Sequence, residues 1–442
     1  MGTDDLVARD LAHVWHPFTQ HAVWAEDRPL VIDHGDGMHL VDTDGRRYLD
    51  GCSSLWVNVH GHRVPEVDDA IRRQLDRLAH STFLGLTHEP GIELAEKLLA
   101  TAPSSDRRRL SRVFYAGDGA SAVEAAIKMA FQAKAQNGED RPLYLHVAEG
   151  YHGDTLGAVS VGGIELFQHT YRPILLDTVM IPSPGVRSTG QTPAQRAAEV
   201  LAWARELMAR DGHRICAVVV EPMVQAAAGM LTHDADFLRG MRDLADVHGA
   251  YLVADEVATG IGRTGLMWAV EHAGVVPDLL TAGKGLTAGY LPLSAVLATE
   301  EIWSSFLGSP AEGRTFFHGH SYTANPLCAA AAVANLDLIA ANGTVAHARH
   351  VGDRIGELTA DLAEHDGVVE IRRIGTMTGI EVCSAGAERR TGFEVCQLAR
   401  ERGVLIRPLG DVVVLMPPLA IGDEDLETLV GTVEECIGEA LA

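Results

Sequence analysis

With 442 residues, 47% apolar and 22% charged, the chain has room for two or three domains, or for one large α/β domain with a smaller companion. Its net charge of −24 argues against nucleic acid or an anionic membrane surface as a partner. Six cysteines, at positions 52, 216, 328, 383, 396 and 436, form no CxxC pair and no His/Cys cluster with zinc spacing, so reduced thiols and no metal are expected.

The opening MGTDDLVARD has no apolar core for a signal peptide, and no apolar run approaches a membrane span; a cytoplasmic location is expected. Residues 6–14 predict a short helix, broken at His16 because Pro17 disfavours helix there. Residues 30–32, 38–42 and 47–50 predict an antiparallel meander, turned at Gly35-Asp36-Gly37 and Asp44-Gly45. The stretch from Gly51 to His62 mixes polar and aromatic residues without a period, as a working loop does. Amphipathic helices are predicted at 65–79 and 89–100.

From 112 to 300 the pattern alternates. Apolar strands are predicted at 112–116, 143–147, 215–220, 251–254, 279–281 and 293–298, with helices at 120–135, 193–209 and 235–247. Such alternation predicts a largely parallel sheet buried on both faces, with ligands at the carboxyl ends of its strands. A long Ala-rich helix follows at 325–341. Beyond it an α+β pattern is predicted: a helix, then strands near 368–371, 378–382, 404–406 and 412–415, and helices at 393–402 and 423–441. The expected fold class is α/β, with a large domain at 63–330 and a smaller one built from 1–62 and 331–442.

Chemistry gathers at the strand ends. Lys284 lies between Gly283 and Gly285 in an apolar setting, where lysine is rare; desolvated, its amine becomes a nucleophile for carbonyl carbon. The small neighbours Ala282, Gly283 and Gly285 would let a planar ligand approach. A solvated loop lysine is the plain alternative. Asp255 ends the strand at 251–254 and suits a metal, a general base or a ring nitrogen. Gly260 to Gly265 resembles a phosphate loop only weakly. Gly117-Asp118-Gly119-Ala120-Ser121 turns from strand into helix, whose N–H groups suit phosphate, although Asp118 is awkward there and could simply cap the helix. Tyr151 offers a flat ring, and Arg407 a carboxylate clamp. One ligand would use all of these: pyridoxal 5′-phosphate (PLP), which needs a lysine for its aldehyde and an acid for its ring nitrogen.

The order of motifs resembles, essentially end to end, the class III, ω-amino-acid type aminotransferases of PLP fold type I. The residues that carry the resemblance are Tyr151-His-Gly, Glu221-Pro, Asp255-Glu-Val-Ala-Thr-Gly-Ile-Gly-Arg-Thr-Gly265, Thr281-Ala-Gly-Lys284-Gly and His318-Gly-His-Ser-Tyr-Thr-Ala-Asn325-Pro. The resemblance implies that Lys284 is the Schiff-base lysine and proton shuttle, that Asp255 pairs with the pyridine nitrogen and that Tyr151 stacks on the ring. It also implies that Gly119 and Ala120 hold the phosphate, joined by Ser321 from a neighbouring subunit, hence a homodimer. Further markers are Trp15-His-Pro-Phe18-Thr, Ser53-Ser-Leu-Trp56, His60-Gly-His62, Glu221-Pro-Met-Val-Gln225, Arg407-Pro-Leu-Gly and Leu415-Met-Pro-Pro418. They are similar to the biotin-pathway branch, which acts on 8-amino-7-oxononanoate; Trp56, Phe18, Gly319 and Arg407 would then meet the substrates. The family usually has serine where Asp118 stands. Its S-adenosylmethionine-using members have Tyr and Trp-Trp where this chain has Phe18 and Leu55-Trp56, so lysine is the preferred donor, with S-adenosylmethionine as the other choice. An ornithine or 4-aminobutyrate type of ω-aminotransferase is the alternative, and a non-enzymatic protein on this fold a lesser one.

Overall fold

The computed structural model describes residues 2–25, 29–384 and 390–442. Strands β1 (Ile32–Asp36), β2 (His39–Asp42) and β3 (Arg47–Asp50) pair antiparallel as a meander. The central strands are β4 (Leu110–Ala116), β5 (Leu143–Val147), β6 (Thr178–Ile181) and β7 (Ile215–Val220). A two-stranded hairpin of β8 (Val224–Gln225) and β9 (Leu231–Thr232) follows. Then come β10 (Tyr251–Asp255), β11 (Leu279–Ala282) and β12 (Ser294–Thr299). The C-terminal strands are β13 (Val368–Ile374), β14 (Met377–Val382), β15 (Val404–Leu405), β16 (Arg407–Leu409) and β17 (Val412–Leu415).

The seven-stranded sheet has the order β4-β12-β11-β10-β7-β5-β6. It is parallel except for β12, which runs antiparallel to both neighbours. Every residue of β7 is buried, because helices cover both faces. Alternate side chains go to opposite sides. Val218 and Val220 pack with the helices Pro193–Asp211 and Ala235–His248, and Ala217 and Val219 with the helix Gly119–Gln136. β6 was not foreseen from the sequence. It is an edge strand, with Met180 exposed, so it lacks the continuous apolar run of its neighbours.

The two ends of the chain meet. β15 pairs in parallel with β3, through Val404 opposite Leu49, and completes a four-stranded sheet. β13, β14, β17 and β16 form a separate antiparallel sheet. Among the described residues no single helix is long and apolar enough to cross a membrane.

One buried ion cluster secures the strand that leads to Lys284. Asp278, just before β11, accepts from Arg242 at 2.6 Å, from Arg108 at 2.7 Å and from the Leu252 N–H at 2.7 Å. Asp278→Ala would remove the buried one of the two carboxylates, Asp278 and Asp246, that each lie 2.6 Å from the buried Arg242 guanidinium, and would also strip Arg108 and the Leu252 N–H of their acceptor. We expect a loss of about 3–5 kcal/mol in urea unfolding; a loss below about 1 kcal/mol would show that the cluster is not anchoring the strand.

Candidate active site

The carboxyl ends of the central strands open into a cavity of about 480 Å³. Lys284, Asp255, Tyr151, Trp56, Gly119 and Ala120 all line it, together with Asp118, His152 and Glu221. Lys284 sits one residue beyond Gly283, at the start of a 3₁₀ turn, with φ 45°. A positive φ on lysine stores strain that only the surrounding packing can hold. Its Nζ lies 4.7 Å from the centre of the Trp56 ring, a cation–π distance. Burial pulls the amine down to about 8; Arg263 pulls the same way, while the charges of Asp255 and Glu221 oppose it.

Asp255 ends β10, and three donors fix its carboxylate. Oδ1 accepts from Thr281 Oγ1 at 2.9 Å and from the Val257 N–H at 3.1 Å, and Oδ2 is 2.7 Å from His152 Nδ1. A carboxylate has about four acceptor positions, so capacity remains for a ring nitrogen. Burial works against the charged form of His152, yet the Asp255 bond outweighs it and the imidazole is raised above its ordinary value. Glu221 accepts from the N–H groups of Tyr151 and Ala226, at 2.9 and 3.0 Å. Burial lifts its carboxyl to about 7 despite those bonds. Tyr151 is thus held by its backbone at Glu221 and by its hydroxyl, which donates to Asp154 at 2.8 Å.

At the other end of the cavity the 18-residue helix Gly119–Gln136 begins with N–H groups that have no partner within the helix. Asp118 caps it: its oxygens accept from the Ser121 N–H and hydroxyl, both at 2.9 Å. The carboxylate that looked awkward beside a phosphate is therefore engaged with the helix. A buried amine, a held carboxylate, an aromatic wall and a helix N-terminus share one cavity, and this set fits PLP.

The structure also redistributes some expectations. Gly283 and Gly285 do not themselves line the cavity. A Cβ at Gly283 would press on Val257 at 3.3 Å, whereas one at Gly285 would meet Ile261 and Val59 at 3.4 Å, an ordinary contact, so Gly283 is the one that packing of the chain on itself favours. The Gly260–Gly265 loop lies outside the cavity wall; Arg263 within it donates to the carbonyls of Asn58 and Pro417, which is a structural tie. Phe18, Gly319, Ser321 and Arg407 do not line the cavity. Phe18 borders a neighbouring one of about 410 Å³ that shares Asp154, and its ring meets Phe167, which in turn meets Tyr151. Gly319 and Ser321 are exposed, on a loop whose His320 lies near Gly117. Arg407 is exposed on β16, close enough to Cys52 for its charge to act on that thiol. Sequence reasoning gave no role to His152, Thr281 or Asp154. His152 was visible beside Tyr151 at a strand end, but its partner lies on another strand.

Two outcomes follow. The deprotonated amine is the form that attacks an aldehyde, so capture of PLP by the apoenzyme should rise with pH around a midpoint near 8. A midpoint at the ordinary 10.5 would show the amine to be solvated. Asp118→Ala should cost about 1 kcal/mol in thermal unfolding and Asp118→Asn little, because asparagine caps as well as aspartate; equal losses would refute capping as its role.

Comparison with known proteins agrees with this geometry. The family model described as aminotransferase class-III matches residues 21–437. The chain is 52% identical to the adenosylmethionine-8-amino-7-oxononanoate aminotransferase of Nitratidesulfovibrio vulgaris, over 98% of this chain and 82% of that protein. It is 42% identical to the protein of that name from Geobacter sulfurreducens, over 97% and 96%. The crystal structure of the Methanocaldococcus jannaschii protein of that name superposes with a TM-score of 0.93 at 35% identity, over 99% of each chain. A PLP-bound amine transaminase from an uncultivated Pseudomonas species gives 0.91 at 33%, over 97% of this chain and 98% of that one. The cavity brings a buried lysine amine to an aromatic ring and within electrostatic reach of an aspartate, and the chain belongs to the class-III, PLP-dependent aminotransferases.

Proposed function

We propose that the chain transfers an amino group to 8-amino-7-oxononanoate, giving 7,8-diaminononanoate, by a ping-pong reaction in which donor and acceptor use the same cavity in turn. The observation that carries the reading is a buried Lys284 Nζ that lies 4.7 Å from the Trp56 ring and shares its cavity with Asp255, in a chain 52% identical to a relative with that named activity. Bound PLP supplies an aldehyde carbon that takes up the amine and a ring that withdraws electrons from the donor carbon.

The chain's own residues do the rest. Lys284 Nζ, lowered to about 8, is available near neutrality to accept a proton from the donor carbon and to return it. Asp255 would keep the ring nitrogen of bound PLP protonated, and His152 and Thr281 keep Asp255 in place. Tyr151 would form the stacking wall, and the N–H groups of Gly119 and Ala120 would receive the phosphate. The aliphatic acceptor would lie along the apolar side of the cavity with its carboxylate on Arg407. Ser321 is exposed and outside its own cavity wall, which suits a residue that completes the site of a second copy in a homodimer.

As donor we favour lysine. Phe18 and Leu55 are exposed near the site and bring no polar group to bond a large sulfonium donor. The names of the relatives favour S-adenosylmethionine, which is the second reading. An ω-aminotransferase of other specificity is the further alternative, given the fold shared with ω-transaminases.

The test is one assay of purified protein with 8-amino-7-oxononanoate and each donor in turn. Product with lysine supports the first reading and product only with S-adenosylmethionine the second; no product with either, despite bound PLP, removes the assignment. Lys284→Ala should abolish turnover and the visible absorbance of the cofactor bound to lysine. Arg407→Ala should raise the acceptor KM roughly tenfold or more, the worth of one charge-assisted contact, with little change in donor KM.

A further inference from the structure

The motif His60-Gly61-His62 is outside the cavity wall, yet it reaches both partners of the Lys284–Trp56 contact. On one side, Trp56 belongs to a turn in which three of four consecutive non-glycine residues have positive φ: Ser53 at 52°, Ser54 at 60° and Trp56 at 64°. Such a turn persists only where its surroundings hold it. Asp50, at the end of β3, does the holding. Its oxygens accept from the Ser54 N–H at 2.8 and 2.9 Å and lie 3.0 Å from His62 Nε2. A carboxylate only accepts, so Nε2 carries the proton toward Asp50. His62 is fixed in turn by its own N–H on the Gly37 carbonyl at 2.7 Å, and β1 yields to its ring, since a Cβ at Gly35 would lie 2.4 Å from the His62 Cβ.

On the other side, His60 Nε2 lies 2.9 Å from Asn335 Oδ1. The Asn335 amide donates to the carbonyls of Gly285 and Leu286, both at 2.9 Å, in the turn that begins at Lys284. Asn335 is fully buried on the helix Pro326–Ala341, so this link is rigid. Gly61 joins the two arms at φ 98°, where a side chain would be strained and would strike the Gly37 carbonyl.

We propose that His60 and His62 are positioning residues: one motif braces the Lys284 turn through Asn335 and the Trp56 turn through Asp50, and so sets how the indole covers the reactive amine. Trp56 Nε1, buried and without a partner among the described residues, is held at the cavity by the same brace. The inference rests on the reading of Lys284 as the reactive amine.

The experiment is a double-mutant cycle with two readouts, the rate at which apoenzyme takes up PLP and kcat/KM of the holoenzyme, with melting temperature measured on the same samples. His62→Ala and His60→Ala should each lower both readouts by about tenfold in the parent chain and by less than about twofold in a Trp56→Ala background, the mark of action through a shared partner. His62→Gln and His60→Gln retain an amide donor and should restore most of the loss; they also serve if the alanine variants do not fold. A tenfold loss repeated in the Trp56→Ala background, or no loss in the parent chain, overturns the proposal. Failure of the underlying reading looks different: the parent chain itself would take up no PLP.

Discussion

The chemistry proposed for this molecule depends on keeping one amine out of water without neutralising it in an ion pair. Lys284 has Asp255 and Glu221 near enough to influence it, yet no ion pair closes on its amine among the described residues, and burial prevails. An amine in contact with a carboxylate would be raised and inert as a nucleophile. Here the carboxylates are occupied elsewhere, Asp255 by His152, Thr281 and Val257, and Glu221 by two backbone N–H groups.

That division of labour follows from the sheet. β10 and β11 are parallel neighbours with Asp255 opposite Thr281, so the aspartate gains its hydroxyl donor by register alone. β5 and β7 are also neighbours, which brings Tyr151 and His152, beyond the end of β5, to Glu221, beyond the end of β7. Strand ends are where backbone pairing stops and side chains are free to meet a ligand. Strain collects there too: Lys284, Trp56, Ser53 and Ser54 all have positive φ, and each such residue costs on the order of 1–3 kcal/mol that the packed sheet must offset.

The small sheets add the second half of the arrangement. Joining β15 to β3 brings the C-terminal part of the chain against the segment that bears Asp50 and Trp56. Arg263 then ties the loop after β10 to the Asn58 and Pro417 carbonyls, so one guanidinium links three distant parts of the chain. Its burial with only carbonyl partners brings it down to about 10, and its charge also helps to lower Lys284.

Much was legible from residues alone. The apolar runs of β5, β7, β10 and β11 stand out because strands covered on both faces must be apolar throughout, and a lysine or aspartate at the end of such a run announces chemistry. The motif order around Tyr151, Asp255 and Lys284 identified the family for the same reason: each element lies within a few residues, the range over which sequence acts directly. What the chain order could not convey was which far-apart groups satisfy one another. That Gly283 packs against Val257 and that His152 belongs to Asp255 are decided by contacts between elements, whereas the Asp118 cap on Ser121 spans three residues and was already open to a reading of the sequence. Hydrogen bonds and burial depend on separation in space, and only the folded sheet sets that separation.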